Sequence, residues 1–167
     1  SLDVSNNTAL TYLSLGHNQL DTLDISNNTA LVGLYCNENN LDSLDLSNHT
    51  ALTWLDCHSN GLSYLNMKNG ITDALTIFDA TDNSLTCIET LDPDYATENW
   101  TYENGNIDEG VFFSENCTAL ISVSPSELYE QLFAGDSSTQ VLTISNNGGI
   151  DLEWEIGSTG SYDYFED

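Results

Sequence analysis

At 167 residues the chain has room for one good-sized domain, or a modest solenoid with a small partner module. Its 27 Asp and Glu residues against a single basic residue, Lys68, set a formal net charge of −26, which argues against nucleic acid and anionic membrane surfaces as partners. No apolar run is long enough to cross a bilayer, so membrane insertion is not expected.

Residues 2–64 carry one 21-residue sequence three times: LDVSNNTALTYLSLGHNQLDT over 2–22, LDISNNTALVGLYCNENNLDS over 23–43 and LDLSNHTALTWLDCHSNGLSY over 44–64. A looser fourth copy spans 65–87, with two extra residues before Leu75. Self-similarity at this period predicts a stacked solenoid, because one such unit cannot bury its apolar side alone. Each copy follows L-x-x-L-x-L-x-x-N-x-L: Leu10, Leu13, Leu15, Asn18 and Leu20 in the first, with matching residues in the other three. Leu13 and Leu15 alternate around Ser14, which predicts a short strand with its leucines inward, paired in parallel with its counterparts. The column Asn18, Asn39, Asn60 and Asn83 falls where the chain leaves that strand, and buried amides there can satisfy backbone groups the bend would orphan. Leu2/Val4, Leu23/Ile25, Leu44/Leu46 and Leu65/Met67 form a second apolar pair that should line another side of the coil. Between the two apolar segments lies SNNTA or SNHTA, a turn composition that bonds its own backbone.

This pattern resembles the leucine-rich repeat family over about half the chain, and its LDxSNNTAL turns and core cysteines are similar to bacterial surface repeats of the internalin and Bacteroidetes types. The resemblance implies an exported, extracellular or cell-surface bacterial protein, and the low Lys/Arg content with abundant Asn, Ser, Thr and Asp agrees with it. The strings LTCIE at Cys87 and SENCT at Cys117 resemble a C-terminal cap that follows such repeats. A Cys87–Cys117 bridge would then stabilise a segment of few regular apolar spacings in an oxidising compartment. Cys36 and Cys57 instead fall in the core column that Leu15 begins, where a thiol packs as a small hydrophobe.

His17, His49 and His58 occupy different places in the repeat and share no ligand set, so no metal site is expected. Ca²⁺ or salt screening is the sharper reading of the acidity. The blander one, a solvated face, is preferred because no acidic run has the spacing of a calcium loop, and no cofactor is expected. No nucleophile–base constellation or phosphate loop is present, and a catalytic role is not expected. Asn6, Asn27, Asn48, Asn99 and Asn116 begin N-x-T sequons, the first three being copies of one turn. Thr22 and Ser43 lie in Asp-Thr-Leu and Asp-Ser-Leu triplets that resemble a Bacteroidetes O-glycosylation motif. All seven are candidate glycosylation positions.

Residues alternating with the inward leucines should line one exposed sheet face in three columns. These are Tyr12, Gly33, Trp54, Ile77; then Ser14, Tyr35, Asp56, Asp79; then Gly16, Asn37, His58, Thr81. Rings with polar handles beside acids and amides mark recognition surfaces, although an open sheet also accepts aromatics for strand propensity. Tyr12, Tyr35, Trp54, Asp56, His58 and Asp79 are the candidate ligand-binding residues.

After residue 87 the period fades, and Trp100, Tyr102, Phe112 and Phe113 supply bulk to cover the last coil. Stretches 121–133, 139–148 and 150–156 then read as strands, and their SVSP and LTISN…DLEWEI text resembles the opening of bacterial immunoglobulin-like modules. The expected architecture is therefore mainly β. Repeats occupy 1–87, a disulfide-closed cap 88–118, a partial immunoglobulin-like β-sandwich 119–157 and an acidic tail or linker 158–167. Leu2 opens a repeat without a capping segment, so the chain reads either as part of a longer surface protein or as a subunit that stacks head to tail into filaments. The expected work is adhesion or assembly through protein or glycan contacts.

Overall fold

The computed structural model describes residues 2–118, Val141, and the strands Ile121–Ser124 and Thr143–Asn146. Each copy of the repeat makes one coil, and the coils stack with equivalent residues in register. One parallel sheet contains β1 (Tyr12–Ser14), β2 (Gly33–Tyr35), β4 (Trp54–Asp56) and β6 (Ile77–Asp79), with Leu13, Leu34, Leu55 and Phe78 side by side. A second parallel sheet contains β3 (Ser43–Asp45), β5 (Tyr64–Met67), β7 (Cys87–Thr90) and β8 (Phe112–Ser114). Its first two strands carry Leu44 and Leu65 of the second apolar pairs of the third and fourth copies, so the leucines of both sheets meet in a common interior. Leu31, Leu34, Leu41, Leu46, Leu52, Leu55 and Leu62 are wholly buried there, as are Cys36 and Cys57, both free thiols. Over residues 2–118 the chain is a mainly β, parallel-strand leucine-rich-repeat solenoid closed by one disulfide.

The asparagine column ties one coil to the next. Asn39 donates its amide hydrogens to the carbonyls of Leu15, one coil back, and of Cys36 and Asn37, while its oxygen accepts from the Leu20 N–H. Asn60 repeats this with Cys36, Cys57, His58 and Leu41, and Asn83 with Cys57, Ala80, Thr81 and Leu62. The residue before each column asparagine takes a left-handed backbone: His17 (φ 56°), Glu38 (52°), Ser59 (51°) and Asp82 (54°). That conformation disfavours any L side chain by about 1–2 kcal/mol, and the amide bonds on either side hold it.

Although the repeat spelling ends near Cys87, the second sheet continues. Asn66 faces Glu89, Met67 faces Thr90, and Ile88 faces Phe113. Beside the first sheet the Ala80 N–H donates to the Asn106 carbonyl (2.8 Å), and the Asp108 carboxylate accepts from the N–H groups of Asp82 and Asn83. Helix α1 (Pro93–Asn99) starts with Asp92 accepting from the Tyr95 N–H and proline in its first turn. At its end Trp100 is buried, with ring centroids 4.5 Å from Phe78 and 5.7 Å from Phe113. The Cys87–Cys117 disulfide joins β7 to the residues after β8, its Cα atoms 5.7 Å apart.

Beyond the cap, β9 (Ile121–Ser124) and β10 (Thr143–Asn146) pair antiparallel within the first two stretches expected to be strands. The third expected strand, 150–156, and the tail 158–167 lie outside the described residues. No helix among the described residues is long and apolar enough to cross a membrane.

The turn opposite the asparagine column holds a second ladder, in which Asn28 Oδ1 and His49 Nδ1 each lack a partner but His49 also makes one bond fewer. Asn28 is buried and donates to the carbonyls of Val4 (3.0 Å) and Asn7 (2.9 Å). In the next coil the same place holds His49, whose Nε2 meets the Ile25 carbonyl at 3.2 Å while Nδ1 has no partner. Burial pushes the His49 pKa down, against the opposing pull of the Ile25 and Leu46 carbonyls and the Asp45 charge. The unfolded chain therefore takes up a proton below about pH 6.5 that the folded chain resists, so this residue removes stability as pH falls. His49→Asn is expected to add about 1 kcal/mol at neutral pH by restoring the second bond. Its advantage over the parent should widen on acidification, by at most about 1.4 kcal/mol for each pH unit between the two pKa values. Urea midpoints of both proteins at pH 8 and pH 5 check this.

Candidate functional site

The outward face of the first sheet carries a cluster of aromatic residues, whereas Tyr64, Phe112 and Tyr102 are exposed singly on the second sheet and the cap. Tyr12 is 56% exposed and Trp54 38%, and Ile77, also exposed, completes their column. Trp54 meets Tyr12 edge-on at 6.4 Å between centroids and Tyr35 edge-on at 6.2 Å. The Tyr12 ring lies over Gly33, where an added Cβ would stand 2.6 Å from its Cδ1 atom. The three rings thus support one another across three coils, which holds them in place without burying them.

Beside the rings the face turns acidic. Asp56 and Asp79 are direct cross-strand neighbours on β4 and β6. The two extra residues of the fourth copy are taken up by the 3₁₀ turn Thr72–Ala74 before β6, so the register is kept. His58 Nδ1 lies 2.6 Å from Asp56 Oδ1 and 3.8 Å from Asp79 Oδ2, while its Nε2 is 4.0 Å from Glu38 Oε1. The other oxygen of Glu38 meets His17 Nδ1 at 2.6 Å. Partial burial pulls the His58 pKa down, but the Asp56 hydrogen bond and the charges of Asp56, Asp79 and Glu38 outweigh it and leave it raised. The three histidines do not converge: His49 is buried in the opposite turn, and His17 reaches His58 only through Glu38. Asp56, His58 and Asp79 were expected on this face, but reading each histidine by its place in the repeat did not join them as one cluster and left out Glu38. The signal was present in the columns, since Asp56, His58 and Asp79 differ by two residues along a strand and by one strand across.

The column residues Asn18, Asn39, Asn60 and Asn83 hold backbone groups through their amides and take no part in this face. Of the candidate glycosylation positions, Asn6, Asn27, Asn48, Thr22 and Ser43 are exposed. Asn99 is exposed, with its amide donating to the Tyr95 carbonyl, whereas Asn116 is half-buried and accepts from the Thr118 hydroxyl and N–H.

No protein-family model and no curated protein matches the chain. Among solved structures it is similar to the functional domain of InlJ from Listeria monocytogenes, which includes a cysteine ladder. The identity is 37% and the TM-score 0.48, over 52% of this chain and 19% of that one. The chain thus spans about a fifth of the length of that protein.

Proposed function

We propose that this chain is the recognition segment of a non-catalytic extracellular or cell-surface protein, an adhesin that holds a glycan or polypeptide on the outward face of its first sheet. The observation that supports this is the Tyr12–Trp54–Tyr35 cluster, Tyr12 and Trp54 exposed and Tyr35 half-buried beside them, on a solenoid whose other outward positions are mostly Ser, Asn, Thr and Asp. Exposed aromatic surface disfavours the free protein unless a partner covers it, and such rings contribute most where they are desolvated on binding. Their polar neighbours, Asp56, His58 and Asp79, supply the hydrogen-bonding groups that orient a hydroxylated or amide-bearing ligand.

Tyr35→Ser with Trp54→Ala tests this on glycan and peptide arrays probed with the intact chain. The double variant should lose at least about tenfold of the parent's signal, since two anchor rings contribute more than 1.4 kcal/mol. Its thermal midpoint should stay within a few degrees, because neither ring belongs to the core. Equal array signal from both proteins would remove the reading.

A further inference from the structure

We propose that Asp56, His58 and Asp79 form a binding site for one divalent metal ion of the zinc class on the outward face of the first sheet. One oxygen from each carboxylate and a ring nitrogen of His58 all lie within 4.8 Å of one another. Tetrahedral coordination at about 2.1 Å places ligand atoms roughly 3.4 Å apart, so modest side-chain rotation brings all three onto one ion. The three side chains are each only about a quarter to a third exposed, at 23%, 27% and 35%, so they converge rather than splay into solvent.

Charge makes the same case independently. Two carboxylates directly opposite each other on neighbouring strands repel, which destabilises the sheet unless something compensates it. The chain has one Lys or Arg in all, and that residue, Lys68, is engaged with Glu89 of the second sheet. His58 can give the proton on Nδ1 to one carboxylate at a time and sits far closer to Asp56 than to Asp79. A dication bound by all three neutralises both acids at once.

The surroundings of the imidazole fit ligation through Nδ1. Glu38 stands at the other ring nitrogen and is itself anchored by His17. In the free protein the 2.6 Å contact with Asp56 keeps a proton on Nδ1. A metal taking the place of that proton leaves the remaining one on Nε2, on the side of Glu38 at 4.0 Å. One imidazole with two carboxylates suits Zn²⁺ and its neighbours, whereas Ca²⁺ takes six to eight oxygens. Three protein ligands leave a fourth tetrahedral position open toward solvent, the arrangement of a site that can accept a further group. This inference does not depend on the adhesin reading, since the metal would bind whether or not the rings hold a partner.

Isothermal titration of the EDTA-treated intact chain with ZnCl₂ tests the site, with CaCl₂ as the contrast. One Zn²⁺ per chain is expected, with no saturable Ca²⁺ heat. His58→Gln and Asp79→Asn should each weaken Zn²⁺ at least tenfold, and Ser14→Asp, an added acid on the same face away from His58, should change it less than twofold. In ¹H–¹⁵N spectra of the histidine rings, Zn²⁺ should move His58 Nδ1 and leave His49 unmoved. Absence of saturable Zn²⁺ binding would overturn the proposal and leave His58 as a proton bridge between two acids. So would binding that survives both His58→Gln and Asp79→Asn, which would assign the heat to the diffuse negative charge of the chain.

Discussion

Lys68→Ala is expected to lower stability by about 3 kcal/mol, a large effect for a single half-exposed side chain. The Lys68 ammonium lies 2.6 Å from Glu89 Oε2, and the Glu89 side chain is only 7% exposed. The same ammonium donates to the Glu115 carbonyl, while the second oxygen of Glu89 accepts from the Cys117 N–H. Removing the lysine strands a carboxylate inside the second sheet in a chain that has no other Lys or Arg to replace it. Breaking one side of a buried pair typically costs 3–5 kcal/mol, and the 30% exposure of the Lys68 side chain places the loss near the lower end. Lys68→Met with Glu89→Leu should recover most of it, because no charge is then left buried. A deficit of about 1 kcal/mol would remain from the bond to the Cys117 N–H. Denaturant midpoints of the parent, single and double variants measure both steps. A double variant no more stable than the single would refute the buried-charge explanation.

Opening the Cys87–Cys117 bridge should have a comparable effect, about 3.5 kcal/mol, from the chain entropy of the 30-residue separation it closes. Within that loop lie α1, Trp100 and β8, which together cover the end of the solenoid. Cys87→Ser with Cys117→Ser, compared with the parent by urea denaturation, should show the loss with little change in the coils of residues 23–64. In the folded chain the remaining thiols do not exchange with the bridge, and denaturation at about pH 6 keeps them protonated once unfolding exposes them. Burial, with the Asp56 charge, pushes the Cys36 thiol up to about 12, and burial, then Cys36 and the nearby acids, raise Cys57 well above the usual range. Neither supplies thiolate at neutral pH. The bridge and the Lys68–Glu89 pair meet at the Cys117 N–H, so the two losses should not add fully.

Parallel stacking and the inward leucines were legible because they repeat at a period that a coil explains. The pairing of Cys87 with Cys117 followed from the resemblance of LTCIE and SENCT to a cap of such repeats. Alternation showed where the short strands fall, and the columns placed Tyr12, Trp54 and Asp56 on one outward face, whereas the stretches 121–133 and 139–148 overran the strands Ile121–Ser124 and Thr143–Asn146. What escaped were features carried by backbone. The second sheet runs on through Glu89, Thr90 and Phe112, whose side chains do not keep the apolar spelling, since parallel pairing uses N–H and C=O groups that every residue has. The left-handed turn at His17, Glu38, Ser59 and Asp82 is made without glycine, so its usual marker is missing. A lone lysine in a chain of net charge −26 reads as a bystander, and only the fold reveals the carboxylate 21 residues away that it neutralises.

The labour of holding the coils together falls on inward leucines, column asparagines and main-chain bonds, and none of it on the outward rows of the first sheet. Substitutions at Ser14, Trp54 or Ile77 can therefore accumulate under pressure from whatever the surface meets, with little penalty to the scaffold. Gly16 and Gly33 are the exceptions, because a side chain there would displace Asn37 or Tyr12. Gaining or losing one whole coil would move that surface by about 4.8 Å, a single strand spacing, and leave every other coil with the same kind of neighbour. A lineage built this way can change what it touches faster than it changes how it folds.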